Sequence, residues 1–194
     1  MTNNKTKYLV RISVLSTIAF ILMYIDFPIP IFPGFLKFDV SDVPALLGTF
    51  SMGPVAGVVI QLLKNILHAI VKGSETGGVG QLANFITGSA WVIPVGLFYS
   101  KVKTRKTAIF GLVAGAISMI IVAAFANYFI LLPFYAKIMP VEAIVALGSA
   151  VNAKIVDFPT LILYGITPFN IFKTITVSLI TLAIYKKISP ILHK

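Results

Sequence analysis

The chain has 194 residues, 58% of them hydrophobic and 11% charged, against about 25% charged in an ordinary soluble domain. With a mean hydropathy of +0.97 and no cysteine, it excludes a soluble globular protein, a disulfide framework and thiolate metal sites. The formal charge of +10 does not point to nucleic acid, because in so apolar a chain the placement of the charges matters more than their sum.

Lys5, Lys7 and Arg11 precede an uncharged run from Ile12 to Ile25. No small-residue cleavage site follows, so residues 8–25 are read as a retained first helix and not a secretory signal. The uncharged run from Val43 to Leu63 is interrupted by Gly53-Pro54, which ends one helix near 42–52 and starts the next at 54–72. Thr76 to Ser100 supplies a fourth helix, Thr107 to Ala136 a long fifth with Pro133 near its end, and Phe169 to Ile188 a sixth. Val141 to Ala153 is expected as a surface-lying helix in an external loop over 137–157, because as a seventh crossing it would be short and would turn the C-terminal lysines outward. With no linker or repeat, residues 1–194 read as a single domain. The expected fold is an all-α integral membrane protein, a bundle of six transmembrane helices.

Cytoplasmic loops retain an excess of Lys and Arg. Ten of the sixteen basic residues fall on one side: Lys5, Lys7, Arg11, Lys101, Lys103, Arg105, Lys106, Lys186, Lys187 and Lys194. The other side holds Lys37, Lys72, Lys137 and Lys154 with all six acids, Asp26, Asp39, Asp42, Glu75, Glu142 and Asp157. Both termini are therefore expected in the cytoplasm, with the chain crossing the cell membrane several times in contact with its lipid.

Motifs supply mostly exclusions. No G-x-x-x-x-G-K-[ST] is present, so P-loop ATP hydrolysis is excluded. Gly78-Val79-Gly80-Gln81-Leu82-Ala83 matches a loose dinucleotide pattern, but no strand precedes it and it opens a membrane helix. Gly53 to Gly57 and Gly111 to Gly115 have the spacing that lets helix backbones approach closely. The six acids are scattered through external segments, which argues against a membrane enzyme. A self-sufficient transporter or channel needs a polar path through the whole bilayer, and Lys64 alone argues for one.

The informative residues are polar groups within the helices, since a lysine near the bilayer centre costs about 3 kcal/mol. Lys173 lies thirteen positions before Lys186, about 20 Å from the cytoplasmic boundary at 1.5 Å per residue. Asn170 shares its face. Asn127 is twenty residues into the fifth helix, about 30 Å from the same boundary, and Gln81 and Asn84 occupy the first turns of the fourth. These five reach a similar level and suggest a binding pocket open to the outside, although amides also stitch helices together. Gln61, Lys64, Asn65 and His68 form a second stripe, in which Lys64 either contacts a ligand from below or pairs with Asp42 or Asp39. The Pro- and Phe-rich loop from Phe27 to Asp39 sits above this level, as a lid or as an interfacial loop dipping into the headgroups.

Phe32-Pro33-Gly34-Phe35-Leu36-Lys37-Phe38-Asp39-Val40-Ser41-Asp42-Val43-Pro44, Gly53-Pro54-Val55-Ala56-Gly57, Thr76-Gly77-Gly78-Val79-Gly80-Gln81-Leu82-Ala83-Asn84-Phe85 and Asn170-Ile171-Phe172-Lys173 together resemble the riboflavin-binding S components of energy-coupling-factor (ECF) transporters, over nearly the whole chain. The resemblance implies a subunit without a cofactor that captures riboflavin outside and delivers it inward when docked on a transmembrane coupling subunit driven by two ATPase subunits. It also implies that Asn127, Asn170 and Lys173 hydrogen-bond the isoalloxazine ring. A flavin pyrimidine edge alternates acceptors and a donor, which amides and an ammonium satisfy. Leu36, Lys37, Phe38 and Asp39, with Gly80, Gln81 and Asn84, are the candidates for the ribityl hydroxyls. Ser13 and Thr17 match the docking positions of the first helix, where relatives usually carry Ala-x-x-x-Ala, and Gln81 stands where relatives often have Glu. Another vitamin such as thiamine is the alternative ligand.

Overall fold

The computed structural model describes residues 2–74 and 77–192, with side chains over 4–74 and 77–185. The expected helix start at Thr76, the acid Glu75 and the side chains of Lys186, Lys187 and Lys194 lie outside the described residues. In chain order the elements are α1 (Thr2–Tyr24), two short strands β1 (Phe27–Pro28) and β2 (Lys37–Phe38), α2 (Asp42–Met52), α3 (Pro54–Val71), α4 (Val79–Lys101), α5 (Arg105–Ala126), α6 (Leu132–Tyr135), α7 (Val141–Ser149), α8 (Phe158–Leu161) and α9 (Thr167–Leu192). One five-residue π-helical turn, Asn127–Leu131, joins α5 to α6, and another, Ile162–Ile166, joins α8 to α9.

Among the described residues, five helical stretches are long and apolar enough to cross a membrane: Asn4–Tyr24, Pro54–Val71, Val79–Lys101, Arg105–Tyr135 and Phe158–Tyr185. α2 has 11 residues, about 16 Å of helix, and is buried over nearly its whole length between α1, α3, α4 and α9. Gly53 makes the break between α2 and α3: its φ of 96° is open to glycine at no cost, and Pro54 then occupies the first turn, where its missing N–H goes unnoticed. α7 has nine residues, too short to cross.

The last span begins eleven residues earlier than the expected Phe169. Asp157 caps its first turn, accepting from Thr160 N at 2.8 Å while Thr160 Oγ1 accepts from Asp157 N at 2.9 Å. The helix then passes Pro168, which stands directly before the expected start. Pro168 and Pro133 each lie just beyond a π-helical turn, and the carbonyls four residues back, at Tyr164 and Phe129, fall inside those turns. A proline ring clashes with that carbonyl in a regular helix. Here the backbone widens, so that Leu132 N–H reaches Asn127 O and Thr167 N–H reaches Ile162 O, five residues back.

The bundle is apolar outside as well as in, unlike a soluble protein. Trp91, Phe50, Leu46, Ile60, Val92 and Val95 form a close-packed centre, while Val14, Ile18, Phe110, Val113, Ile117, Phe125, Ile175 and Leu179 are exposed along the spans, as lipid solvation allows. The Gly111–Gly115 spacing brings α5 against α4: a Cβ on Gly115 would lie 2.5 Å from Trp91 O. Gly57 packs likewise on Thr49 and Val92, whereas its spacing partner Gly53 makes the turn. Between α1 and α2 the chain folds back through the β1–β2 pair, in register Phe27↔Phe38. This loop is pinned on α9 by aromatic packing of Phe32 with Phe169 (5.4 Å between ring centroids) and of Phe38 with Phe172 (5.6 Å).

Candidate substrate-binding site

The loop between α1 and α2, the start of α4, the end of α5 and the start of α9 enclose a cavity of ≈220 Å³. Asn127, Asn170 and Lys173 all line it, with Leu36, Lys37, Asp39, Gly80 and Asn84. A contiguous cavity of ≈280 Å³ shares Phe35, Lys37, Asp39, Gly80 and Asn84 and adds Gln81, His68, Asp26 and Lys72. Of the expected residues, therefore, eight meet at one cavity and Gln81 borders its neighbour. Phe38 departs from the expectation. Alternation along β2 turns its side chain to Phe27 and Phe172, and it lines neither cavity.

A larger cavity, ≈790 Å³, lies elsewhere, between the π-helical turn after α5 and α7–α8, with Glu142 and Asp157 on its walls. It is larger and more apolar but receives none of the converging amides, so chemistry favours the smaller site.

Asn127 donates to Ala123 O at 2.8 Å and Asn170 to Ile166 O at 3.0 Å. Each thus spends one amide hydrogen on its own helix and keeps a second N–H and an acceptor oxygen for the cavity. Both sit against a π-helical turn: Asn127 begins one, and Ile166, which accepts from Asn170, ends the other. Asn84 Oδ1 accepts from Asn65 Nδ2 at 3.3 Å. Gln81 is tied to the loop before α4, accepting from Ser74 Oγ at 2.8 Å and donating to Gly73 O at 3.2 Å.

Lys173 is 5% exposed, and it does not stand without carboxylates. Its own helix offers none, but Nζ donates to Asp39 Oδ2 at 2.9 Å and lies 3.2 Å from Asp42 Oδ2. Asp42 Oδ1 accepts from Lys64 Nζ at 2.6 Å and from Gln61 Nε2 at 2.9 Å. Lys64 also donates to Ser41 Oγ at 2.9 Å, and Asp39 Oδ1 accepts from Ser41 N at 2.8 Å. The pairing expected for Lys64 is thus the one found. Two lysines and two aspartates from three helices and a loop form a buried group of zero net charge. Burial, the largest single influence, would raise the Asp39 carboxyl, but the Lys173 and Lys64 ammoniums and the Ser41 hydrogen bond together outweigh it and hold Asp39 below its ordinary value.

Thr87, Met119, Ala123, Tyr135 and Phe169 also line the cavity and were not singled out by sequence. Thr87 lies three residues beyond Asn84 on the same helix face, a spacing that signals it; for Met119 and Ala123 no signal separates wall from core. Ser13 and Thr17 are both exposed on α1, one turn apart, with Thr17 Oγ1 donating to Ser13 O at 2.9 Å.

A polar, charge-balanced cavity among apolar helices long enough to cross a membrane suits a membrane protein that holds a small solute, and the family agrees. The model of the family "ECF transporter, substrate-specific component" matches residues 7–185, and the chain belongs to that family. It is similar to a protein named riboflavin transporter RibU from Staphylococcus aureus (strain TCH60), 39% identical over 190 residues that make up 98% of this chain and 94% of the relative. A second relative, named riboflavin transporter FmnP, from Bacillus subtilis (strain 168), is 37% identical over 96% of this chain and 94% of its own length. The fold is similar to a solved structure described as the S component of a bacterial ECF transporter, with a TM-score of 0.76 and 35% identity over 98% of this chain and 99% of that one.

Proposed function

We propose that this chain is the riboflavin-binding subunit of an ECF-type uptake transporter and not an enzyme. The observation that carries the reading is the meeting of Asn127, Asn170 and Lys173 on one cavity in a chain 39% identical to a protein named for riboflavin transport. The isoalloxazine ring lies in the cavity of the three, its pyrimidine edge facing the two amides and the ammonium, its apolar body against Phe169 and Met119. The ribityl chain extends toward Lys37, Asp39, Gly80, Gln81 and Asn84, where the second cavity opens.

In this reading α2 counts as a sixth crossing and both termini face the cytoplasm, as the lysine and arginine distribution supports. The loop over 27–39 then faces outside as a lid, and Ser13 and Thr17 offer a small-residue face of α1 to the transmembrane coupling subunit, with two ATPase subunits supplying the energy.

The test is a titration of riboflavin fluorescence with detergent-purified protein, beside the absorption spectrum of protein from ordinary growth medium. Saturable quenching, and flavin released on denaturation, are the expected results. A colourless protein that leaves riboflavin fluorescence unchanged overturns the assignment and brings thiamine forward as the ligand to try.

A further inference from the structure

Lys64 borders neither cavity yet is completely buried, a side chain expensive to keep in a bundle core unless it acts on something. Its position shows on what. Asp42 has two oxygens: Oδ1 is taken by Lys64 and Gln61, and Oδ2 faces Lys173. Lys173 has three N–H groups, of which Asp39 and Asp42 occupy two, leaving one for the cavity. The balance of the group therefore decides how much positive charge a ligand meets.

We propose that Lys64 is a positioning residue for the ligand-binding ammonium, neutralising Asp42 so that Lys173 keeps one N–H and its charge for the acceptor edge of the bound ring. The inference rests on the riboflavin reading of the cavity. Without Lys64, two buried carboxylates share one ammonium. The group becomes anionic beside an edge made largely of carbonyl and imine acceptors, and Asp42 draws Lys173 toward α2. A carboxylate left in excess in a buried site takes up a proton as the pH falls, which restores neutrality. The charged groups facing Asp42 are Lys64 from α3, Lys173 from α9 and Asp39 from the loop. His68 lies one turn further along α3, and α1 and α4 carry charge only at Lys5, Lys7, Arg11 and Lys101.

The experiment is riboflavin affinity by fluorescence quenching for wild type, Lys64→Met and Lys64→Met with Asp42→Asn, each from about pH 7.5 to about pH 5. Lys64→Met is expected to bind at least about tenfold more weakly at the upper pH and to recover most of that loss at the lower pH, where wild type changes little. The double variant, neutral like wild type, is expected within about threefold of it at every pH, as coupled charge partners compensate. Should Lys64→Met fail to fold, the double variant decides alone: affinity more than about tenfold below wild type overturns the proposal. A Lys64→Met protein that binds like wild type, or one whose loss is the same at every pH and unrelieved by Asp42→Asn, also overturns it and leaves the riboflavin reading intact. A wild type that binds no riboflavin overturns both.

Discussion

Lys173 Nζ and Asp39 Oδ2 meet at 2.9 Å across 134 residues of sequence, joining the last span to the loop that crosses the cavity. The pair is buried on both sides. One contact thus fixes the loop, places the ammonium at the cavity wall and compensates a charge that the bundle core would otherwise reject.

Removing Lys173 exposes both consequences. Lys173→Met leaves Asp39 and Asp42 with only Lys64, and breaking a buried pair by deleting one partner costs about 3–5 kcal/mol. Riboflavin affinity is expected to fall at least about a hundredfold, from the lost charged hydrogen bond and the loosened loop together. Asn170→Leu with Lys173→Leu should abolish binding. Unchanged quenching curves for the pair would remove both residues from the site.

The pH dependence follows from Asp39. Held below its ordinary value in the folded chain, it binds fewer protons folded than unfolded. Its stabilisation is therefore whole above the unfolded value of about 4 and is lost as the pH falls through the lower folded value. Thermal unfolding of the ligand-free protein should be level from about pH 8 to about pH 5 and decline below about pH 4. Asp39→Asn should start lower and decline less, which a pH series by differential scanning fluorimetry reads directly.

The spans were legible because a helix in lipid cannot hide a charge: uncharged runs mark α1, α3, α4 and α5, and Gly53-Pro54 marks the break before α3. The Lys64–Asp42 pair was legible for the same reason, since a buried ammonium must find a carboxylate. The start of the last span was not: it was expected at Phe169, just past Pro168. A π-helical turn removes the proline's clash, and nothing in the sequence announces it. The capping signal Asp157-x-x-Thr160 was present, directly at the head of the uncharged run 158–172, but a short cap does not by itself mark a span. Asn127 and Asn170, lone amides in apolar helices, do meet at the cavity, while the side chain of Phe38 turns away from it because the pairing register of two-residue strands is set by the fold.

Helix proximity is testable at Gly115. A Cβ there would meet Trp91 O at 2.5 Å and the Trp91 ring at 2.7 Å, both deep in the core, whereas at Gly34 it would meet nothing within 4 Å. Gly115→Ala is expected to cost about 1–3 kcal/mol through overpacking, and Gly34→Ala to be nearly neutral. Melting curves in one detergent compare them, and equal melting temperatures would show that α4 and α5 have room to separate.

Docking should be separable from binding. Ser13 and Thr17 are exposed on α1 and line neither cavity, so Ser13→Leu with Thr17→Leu should leave riboflavin affinity within about threefold of wild type. The same substitutions thicken the small-residue face and should reduce co-purification with the coupling subunit and ATPases. Affinity lost together with assembly would place α1 in the binding site instead.

In the proposed lid reading, the loop's hold on the ligand rests on Phe32, which is buried against Phe169 and Phe172 at centroid distances of 5.4 and 5.8 Å. Phe169 is itself a cavity wall, so the clasp and the site share a residue. Phe32→Ala removes an aromatic packing energy of about 0.5–1.5 kcal/mol per pair beyond its buried area, and it acts on the closed state only. Dissociation should therefore accelerate by about tenfold or more while association changes little. Stopped-flow fluorescence separates the two rates. A variant that slows association but leaves dissociation untouched would show that the loop guides entry and does not retain the ligand.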